Sequence, residues 1–175
     1  QRMSGAARPD ADAPVSKRLS TSLLAFILIS AAVLRTWQLD RPALWWDEGN
    51  NAYFAHQSPA GLLDVCRLTN DTNPPAHRLA LSVWLRLLSD SAFNLRLLSV
   101  VMGVATVLLV YQWGDWLGGP SVALLAASLA ALSPVSVRYC REAKSYSFVA
   151  FFGSLAVYLW ARYLDGQDRP RPWLW

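Results

Sequence analysis

The stretch Leu97–Val137 reads LLSVVMGVATVLLVYQWGDWLGGPSVALLAASLAALSPVSV, and it decides the fold of this chain. Its one charged residue, Asp115, lies close to the turn sequence Gly118-Gly119-Pro120. A helix that crosses a bilayer needs about 20 mostly apolar residues. The stretch is therefore long enough for two spanning helices, Leu97–Gly114 and Trp116–Val137, and the turn sequence lies near their junction.

Two further blocks free of charge are Leu19–Leu34 and Ser145–Ala161. The first is slightly short, and we expect Arg35 to snorkel towards the interface while Thr36-Trp37 extend the segment. Over the whole chain 54% of the residues are hydrophobic and only 16% are charged, in blocks rather than periodic faces. The sequence thus predicts an all-α integral membrane protein with about four transmembrane helices. A signal-peptide core at Leu19–Leu34 is the alternative for the first block.

The apolar segment Leu79–Leu85 is too short to count as a span. It has seven residues between Arg78 and Arg86, and seven helical residues cover about 10 Å, a third of the hydrocarbon thickness. We predict instead an amphipathic interfacial helix that starts at Pro74-Pro75, because proline is tolerated in the first helical turn. A fifth, tilted span is the alternative.

Basic residues at the two ends orient the chain. By the positive-inside rule they place both ends in the cytoplasm: Arg2, Arg8, Lys17 and Arg18 at the start, and Arg162, Arg169 and Arg171 at the end. Residues 38–95 and 138–144 then form two extracytoplasmic loops, and the first should carry interfacial helices. The predicted location is the cell (inner or plasma) membrane. No basic patch is interleaved with aromatic residues, so no nucleic-acid partner is predicted.

Two charged clusters meet on the same face if four spans cross the membrane. The first is Trp45-Trp46-Asp47-Glu48, and the second is Arg141-Glu142-Ala143-Lys144-Ser145-Tyr146. Together with Arg96 at the start of the second span, Arg141 and Lys144 could bind an anionic lipid phosphate. Asp47 or Glu48 could then take a proton from an incoming hydroxyl. This chemistry is glycosyl transfer from a lipid-phosphate sugar; solvated loops and snorkelling boundary residues are the plainer interpretation of the same charges.

The polar segment Thr69–His77 lies between the two clusters in sequence. Asp71 could cap a turn there, and it could also combine with Asp47, His56 and His77 to bind a divalent cation. No tight ligand spacing supports such a site, so no metal or other cofactor is predicted. Cys66 and Cys140 also lack metal-site spacing, and a single disulfide between them stays open.

The order of four motifs resembles the membrane glycosyltransferases of the GT-C type. These motifs are Trp-Trp-Asp-Glu-Gly from Trp45, Asn-Pro-Pro from Asn73, Asn-Leu-Arg-Leu-Leu-Ser-Val from Asn94, and Arg-Glu-Ala-Lys-Ser-Tyr from Arg141. The likeness is to the bacterial branch of protein mannosyltransferases, aminoarabinose transferases and lipopolysaccharide galacturonosyltransferases. It covers residues 19–164, which would be the N-terminal part of such a module. Residues 1–18 would be a disordered cytoplasmic leader, and residues 165–175 a connector to a missing C-terminal region.

The resemblance implies an inverting transfer from a polyprenyl-phosphate sugar to an acceptor hydroxyl on the extracytoplasmic face. It implies that Asp47 is the general base and that Glu48 places the acceptor or orients the site. Arg96 matches a residue that contacts the donor phosphate. Glu142 falls at the acidic position of the second loop, in the same motif as Lys144 and Tyr146.

The acceptor stays undefined, since a lipid, a glycan or a protein hydroxyl would each suit this reaction. His77 and Arg78 stand where family members often carry aromatic or aliphatic residues after the prolines. Together with the segment that begins at Asp71, this departure leaves the acceptor side of the site undefined. The competing hypothesis is a non-catalytic multi-span membrane protein, which would be a transporter or lipid-binding fragment or an inactive glycosyltransferase remnant.

Overall fold

The computed structural model describes residues 17–68 and 75–167, and this part of the chain is helical throughout its regular structure. Several predictions lie wholly or largely outside the described residues: the leader (1–18), the connector (165–175), Asp71 and the Cys66 side chain. The helices in chain order are α1 (Lys17–Thr36), α2 (Trp46–Ala55), α3 (Pro59–Leu68), α4 (Pro75–Leu87), α5 (Ala92–Leu132), α6 (Pro134–Cys140) and α7 (Tyr146–Gln167).

Three of these helices are long and apolar enough to cross a membrane. The candidate spans are Arg18–Thr36 in α1, Ala92–Leu132 in α5 and Tyr146–Asp165 in α7. They coincide with the charge-free blocks of the sequence and confirm an all-α membrane protein. The second candidate has 41 residues, about 60 Å if it were one straight helix and twice the hydrocarbon thickness.

The long helix α5 is in fact two apolar passes joined at Gly118 and Gly119. Both residues have non-helical dihedral angles, and Gly119 has φ of 76°, a left-handed conformation that glycine adopts without steric cost. A Cβ atom placed on Gly114 would lie 2.6 Å from the Cα of Ala123. Residues nine apart in a straight helix would be about 13 Å apart. The chain therefore reverses here, which gives the predicted total of about four apolar passes.

The expectation that Arg35 snorkels is wrong, because its side chain is fully buried. It donates to the carbonyls of Ala130 and Ala131 at 3.2 and 3.0 Å and to the Ser136 hydroxyl at 2.9 Å. Pro134 has no N–H, so the Ala130 carbonyl lacks the donor that would follow it in a continuous helix. Arg35 supplies that donor and fixes the break between α5 and α6.

Three short helices, α2 to α4, fill the long connection between α1 and α5. The predicted non-spanning helix around Leu79–Leu85 is present as α4, which begins at Pro75 and has 13 residues. That length is about 20 Å, short of the bilayer core. The buried core below the connection packs α2 and α4 on α5 and on the segment after α6; its members are Ala55, Leu81, Leu85, Leu95, Leu98 and Ala143.

Cys140 is a free cysteine and is buried at the end of α6. It packs closely on α5, because a Cβ atom on Gly103 would clash with its Sγ. The close approach of α6 to α5 therefore requires glycine at position 103.

Candidate functional site

Asp47 and Lys144 form an ion pair that joins the two charged clusters. Asp47 lies in the first turn of α2, where a carboxylate interacts favourably with the helix dipole. Lys144 lies in the segment between α6 and α7, and its Nζ donates to Asp47 Oδ2. The Asp47 side chain is 38% exposed and the Lys144 side chain 15%. The carboxylate is thus held by a cation from the other cluster while solvent still reaches it.

Aromatic rings surround the Lys144 ammonium. Its Nζ lies 4.6 Å from the centre of the Trp45 ring and 5.3 Å from that of Tyr146. The Tyr146 hydroxyl is 3.5 Å away, and the Tyr146 ring packs edge-on against Tyr139. Partial burial works against the charged amine, but the hydrogen bonds to Asp47 and Tyr146 prevail and raise the pKa of Lys144. The ammonium therefore stays charged at neutral pH.

Glu48, next to Asp47, is in a different environment. Its side chain is only 1% exposed, and both carboxylate oxygens bind Arg96, Oε1 to Nε at 2.8 Å and Oε2 to Nη2 at 2.6 Å. Burial alone would raise the pKa of this carboxyl. The hydrogen bonds from Arg96 and from the Ala143 N–H, with the Arg96 charge, lower the pKa below its usual value.

Arg96 uses every N–H of its guanidinium inside the protein. An arginine has five such donors. Two bind Glu48, and the others donate to the carbonyls of Leu39, Pro42 and Ala43 at 2.8, 2.9 and 3.2 Å. This arrangement leaves no N–H for a donor phosphate, which was the predicted role. Arg96 instead ties α5 to Glu48 and to the chain between α1 and α2.

The backbone of Ala143 is held on both sides by α2. Its N–H donates to Glu48 Oε1 at 2.9 Å, and its carbonyl accepts from Asn51 Nδ2 at 2.9 Å. Asn51 Oδ1 in turn accepts from Arg78 Nε at 3.1 Å. These bonds link α4, α2, the second charged cluster and α5 in one buried polar network.

An open cavity of about 480 Å³ lies beside this network. Trp45, Glu48 and Arg96 line one part, and Arg138, Arg141 and Glu142 line another. Arg141 donates to the carbonyls of Trp37 and Gln38, whereas the Arg138 side chain is 81% exposed and 3.9 Å from Glu142. The volume is in the range of small-molecule sites. The guanidinium groups of Arg138 and Arg141 make the cavity suitable for an anion.

His77 lies apart from these charges, at the start of α4. Its side chain is buried against Phe148, with the rings edge to face at 5.1 Å. Burial, helped by the neighbouring Arg78 charge, lowers the pKa of His77 from 6.5 to about 4. The imidazole is therefore neutral at physiological pH. Within residues 17–68 and 75–167, no group of three or more His, Cys, Asp or Glu side chains is placed to hold a metal ion.

Several of the predicted site residues come together in this structure. Asp47, Lys144 and Tyr146 form one cluster, and Glu48 and Arg96 form the adjacent buried pair. Arg141 and Glu142 line the cavity together with Glu48 and Arg96. The sequence reasoning missed Asn51, Arg78 and Arg138. Asn51 lies three residues after Glu48, and that helical spacing was the one available signal, because it places both residues on one face of α2.

Comparison with known proteins identifies one family. The family described as dolichyl-phosphate-mannose-protein mannosyltransferase matches residues 72–175, which is more than half of the chain. The matched part begins before α4 and includes Arg96 and the whole second charged cluster, but not Asp47 and Glu48. No curated protein and no solved structure matches the chain significantly.

Proposed function

This chain belongs to the dolichyl-phosphate-mannose-protein mannosyltransferase family, and we propose that it transfers a sugar from a polyprenyl-phosphate donor, with Asp47 as general base. The family consists of membrane glycosyltransferases of the GT-C type, so the class of the protein is glycosyltransferase. The donor, the role of Asp47 and the extracytoplasmic side of the site are the parts that we propose.

The observation that supports the proposal is the Asp47–Lys144 ion pair, which joins the two charged clusters. A general base must be ionised and must be reachable by the substrate hydroxyl. Asp47 forms an ion pair with Lys144, and the 38% exposure of its side chain leaves it reachable. Buried Glu48 is not reachable in this way, because Arg96 and the Ala143 N–H already occupy its carboxylate oxygens.

The proposed reaction is a single displacement at the anomeric carbon. The acceptor oxygen forms a bond to that carbon while its proton passes to the Asp47 carboxylate. The bond between the anomeric carbon and the phosphate oxygen breaks, and its electron pair leaves with the polyprenyl phosphate. Attack opposite to the leaving group inverts the configuration of the sugar.

The leaving phosphate needs positive charge at its oxygens, because charge develops there as the bond breaks. Arg141 and Arg138 line the cavity of about 480 Å³ and can supply it. The predicted phosphate role of Lys144 changes in this proposal, since its ammonium is engaged with Asp47. The roles of Glu142 and Tyr146 are to orient Arg138 and Lys144, with which they are in contact.

Charge supports the extracytoplasmic side that we propose for the site. The basic residues at the start of the chain and after α7 favour the cytoplasm, and with about four passes the clusters around Asp47 and Lys144 would lie on the opposite face. The acceptor hydroxyl of a lipid, a glycan or a protein would then approach from outside the cell. Neither a cofactor nor a metal is part of this proposal.

The test uses membranes that contain the protein and a panel of radiolabelled polyprenyl-phosphate sugars (mannose, glucose, galacturonic acid and aminoarabinose). We expect transfer from at least one donor and a loss of about a hundredfold or more for Asp47→Asn, the scale of lost general-base catalysis. Asp40→Asn is the matched control, because Asp40 is an exposed aspartate outside the site. Transfer by Asp47→Asn at the wild-type rate would refute the base, and transfer from a sugar nucleotide alone would refute the donor class.

A further inference from the structure

Asn51 has an amide whose orientation is fixed by its two partners. Arg78 Nε can only donate, so the group that faces it at 3.1 Å must be Oδ1. The Ala143 carbonyl can only accept, so the group that faces it at 2.9 Å must be the Nδ2 amine. The side chain is 5% exposed, which makes each of these buried hydrogen bonds costly to leave unmade.

The segment that carries Lys144 is held by three side chains. Glu48 and Asn51 bind the N–H and the carbonyl of Ala143 from the same face of α2. Ser99 on α5 donates to the carbonyl of Lys144 at 3.4 Å. The backbone on both sides of the Ala143–Lys144 peptide is thereby fixed relative to α2, the helix that also carries Asp47.

From these contacts we infer that Asn51 is a positioning residue, which holds the Ala143–Lys144 segment so that the Lys144 ammonium stays paired with Asp47. This inference rests on the proposed function for its catalytic meaning. Asn51 does not touch the reacting atoms in this account; it acts through the backbone of the neighbouring segment. Its effect should therefore appear as a changed environment of Lys144 as well as a changed rate.

The sharpest variant is Asn51→Asp, which keeps the volume and the acceptor for Arg78. It replaces the Nδ2 donor by an oxygen that faces the Ala143 carbonyl oxygen, so the bond to the second cluster is lost while the bond to α4 is kept. Asn51→Ala removes both bonds and is the second variant. Asn94→Asp is the matched control, because Asn94 donates to Ser89 at an exposed site at the start of α5.

The readout is the reactivity of the Lys144 amine. The sequence has two lysines, Lys17 and Lys144, so a water-soluble acetylating reagent on purified protein in detergent gives one test site and one internal reference by mass spectrometry. We expect acetylation of Lys144 relative to Lys17 to rise about tenfold in Asn51→Asp, the ratio that corresponds to one buried hydrogen bond of ordinary strength. Asn94→Asp should leave the ratio unchanged.

Transfer assays with the same polyprenyl-phosphate donors separate this inference from the proposed function. We expect Asn51→Asp to lower kcat about tenfold with little change in KM for the donor. A wild-type acetylation ratio in a folded Asn51→Asp or Asn51→Ala protein would overturn the inference, whatever the transfer assay shows. A raised ratio in a protein that never transfers sugar would support the positioning role and refute the proposed function alone.

Discussion

Two adjacent carboxylates in this protein have different surroundings, and these surroundings are why we propose Asp47 rather than Glu48 as the general base. Glu48 is buried in a bidentate pair with Arg96, whereas Asp47 is partly exposed and bound to Lys144. Residues 47 and 48 are about 100° apart around a helix, so Glu48 can be buried while Asp47 stays partly exposed. The same helical geometry brings Asn51 to the face of Glu48.

At the residue scale, Arg96→Met should lower the free energy of unfolding by about 3–5 kcal/mol, since removal of one partner strands a buried charge. The measurement is denaturation of the purified protein in detergent. Arg138→Met is the matched control and should leave stability nearly unchanged, because that side chain is 81% exposed. The double variant Glu48→Leu with Arg96→Met should recover part of the loss. Wild-type stability of Arg96→Met alone would show that the ion pair is not structural.

The sequence was sufficient to select most of the charged residues of the site, though not Arg78 or Arg138, and it was not sufficient to pair them. Trp45, Asp47, Lys144 and Tyr146 belong to motifs that sequence inspection singles out. Which cation binds which carboxylate depends on side-chain distances of a few ångströms between elements about 100 residues apart. Arg96 is an example: its position in the sequence suggested a contact with the donor phosphate, but all five of its N–H groups bind partners within the protein.

At the element scale, the position of the site depends on two breaks in otherwise continuous apolar helices. The first is the reversal at Gly118 and Gly119, and the second is the break at Pro134, where Arg35 satisfies the freed carbonyls. The second break sets the direction of α6, which leads directly into the segment with Arg141 and Lys144. Buried Arg35 therefore helps to set the direction of α6, although it lies outside the site.

Gly114→Ala should destabilise the hairpin formed by the two halves of α5. The new methyl group would lie 2.6 Å from the Cα of Ala123, and such overpacking costs about 1–3 kcal/mol. Gly153→Ala is the matched control on α7, where an added Cβ has no neighbour within 4 Å. Thermal unfolding in detergent measures both variants. Equal melting temperatures for Gly114→Ala and the wild type would contradict the close helix crossing.

The apolar elements were predictable because their signal is compositional. A run of apolar residues without charge has the same meaning wherever it occurs, and Gly118-Gly119-Pro120 marked the reversal. The short helix α2 was not predicted, since its N-terminal Trp45 makes no side-chain capping bond and its sequence mixes polar and aromatic residues. Its helical form depends on burial of Glu48, Asn51 and Phe54 against the rest of the protein.

At the scale of the whole molecule, the fold brings the two charged clusters together. Asp47 and Lys144, which form an ion pair, are 97 residues apart in sequence. The segments meet because an even number of passes separates them, and because α4 is too short to add another. With a fifth pass the two clusters would lie on opposite sides of the membrane. The proposed glycosyl transfer requires that they share one side.

Zero-length carbodiimide cross-linking of the native protein tests this meeting most directly, because it joins only a carboxylate and an amine that are in contact. We expect mass spectra of the protein cross-linked in its membrane to contain a cross-linked peptide between Asp47 and Lys144. That peptide should vanish in Asp47→Asn and persist in Asp40→Asn. A Lys144 amine that never joins Asp47, or that joins only carboxylates elsewhere in the chain, would contradict a site built from both clusters.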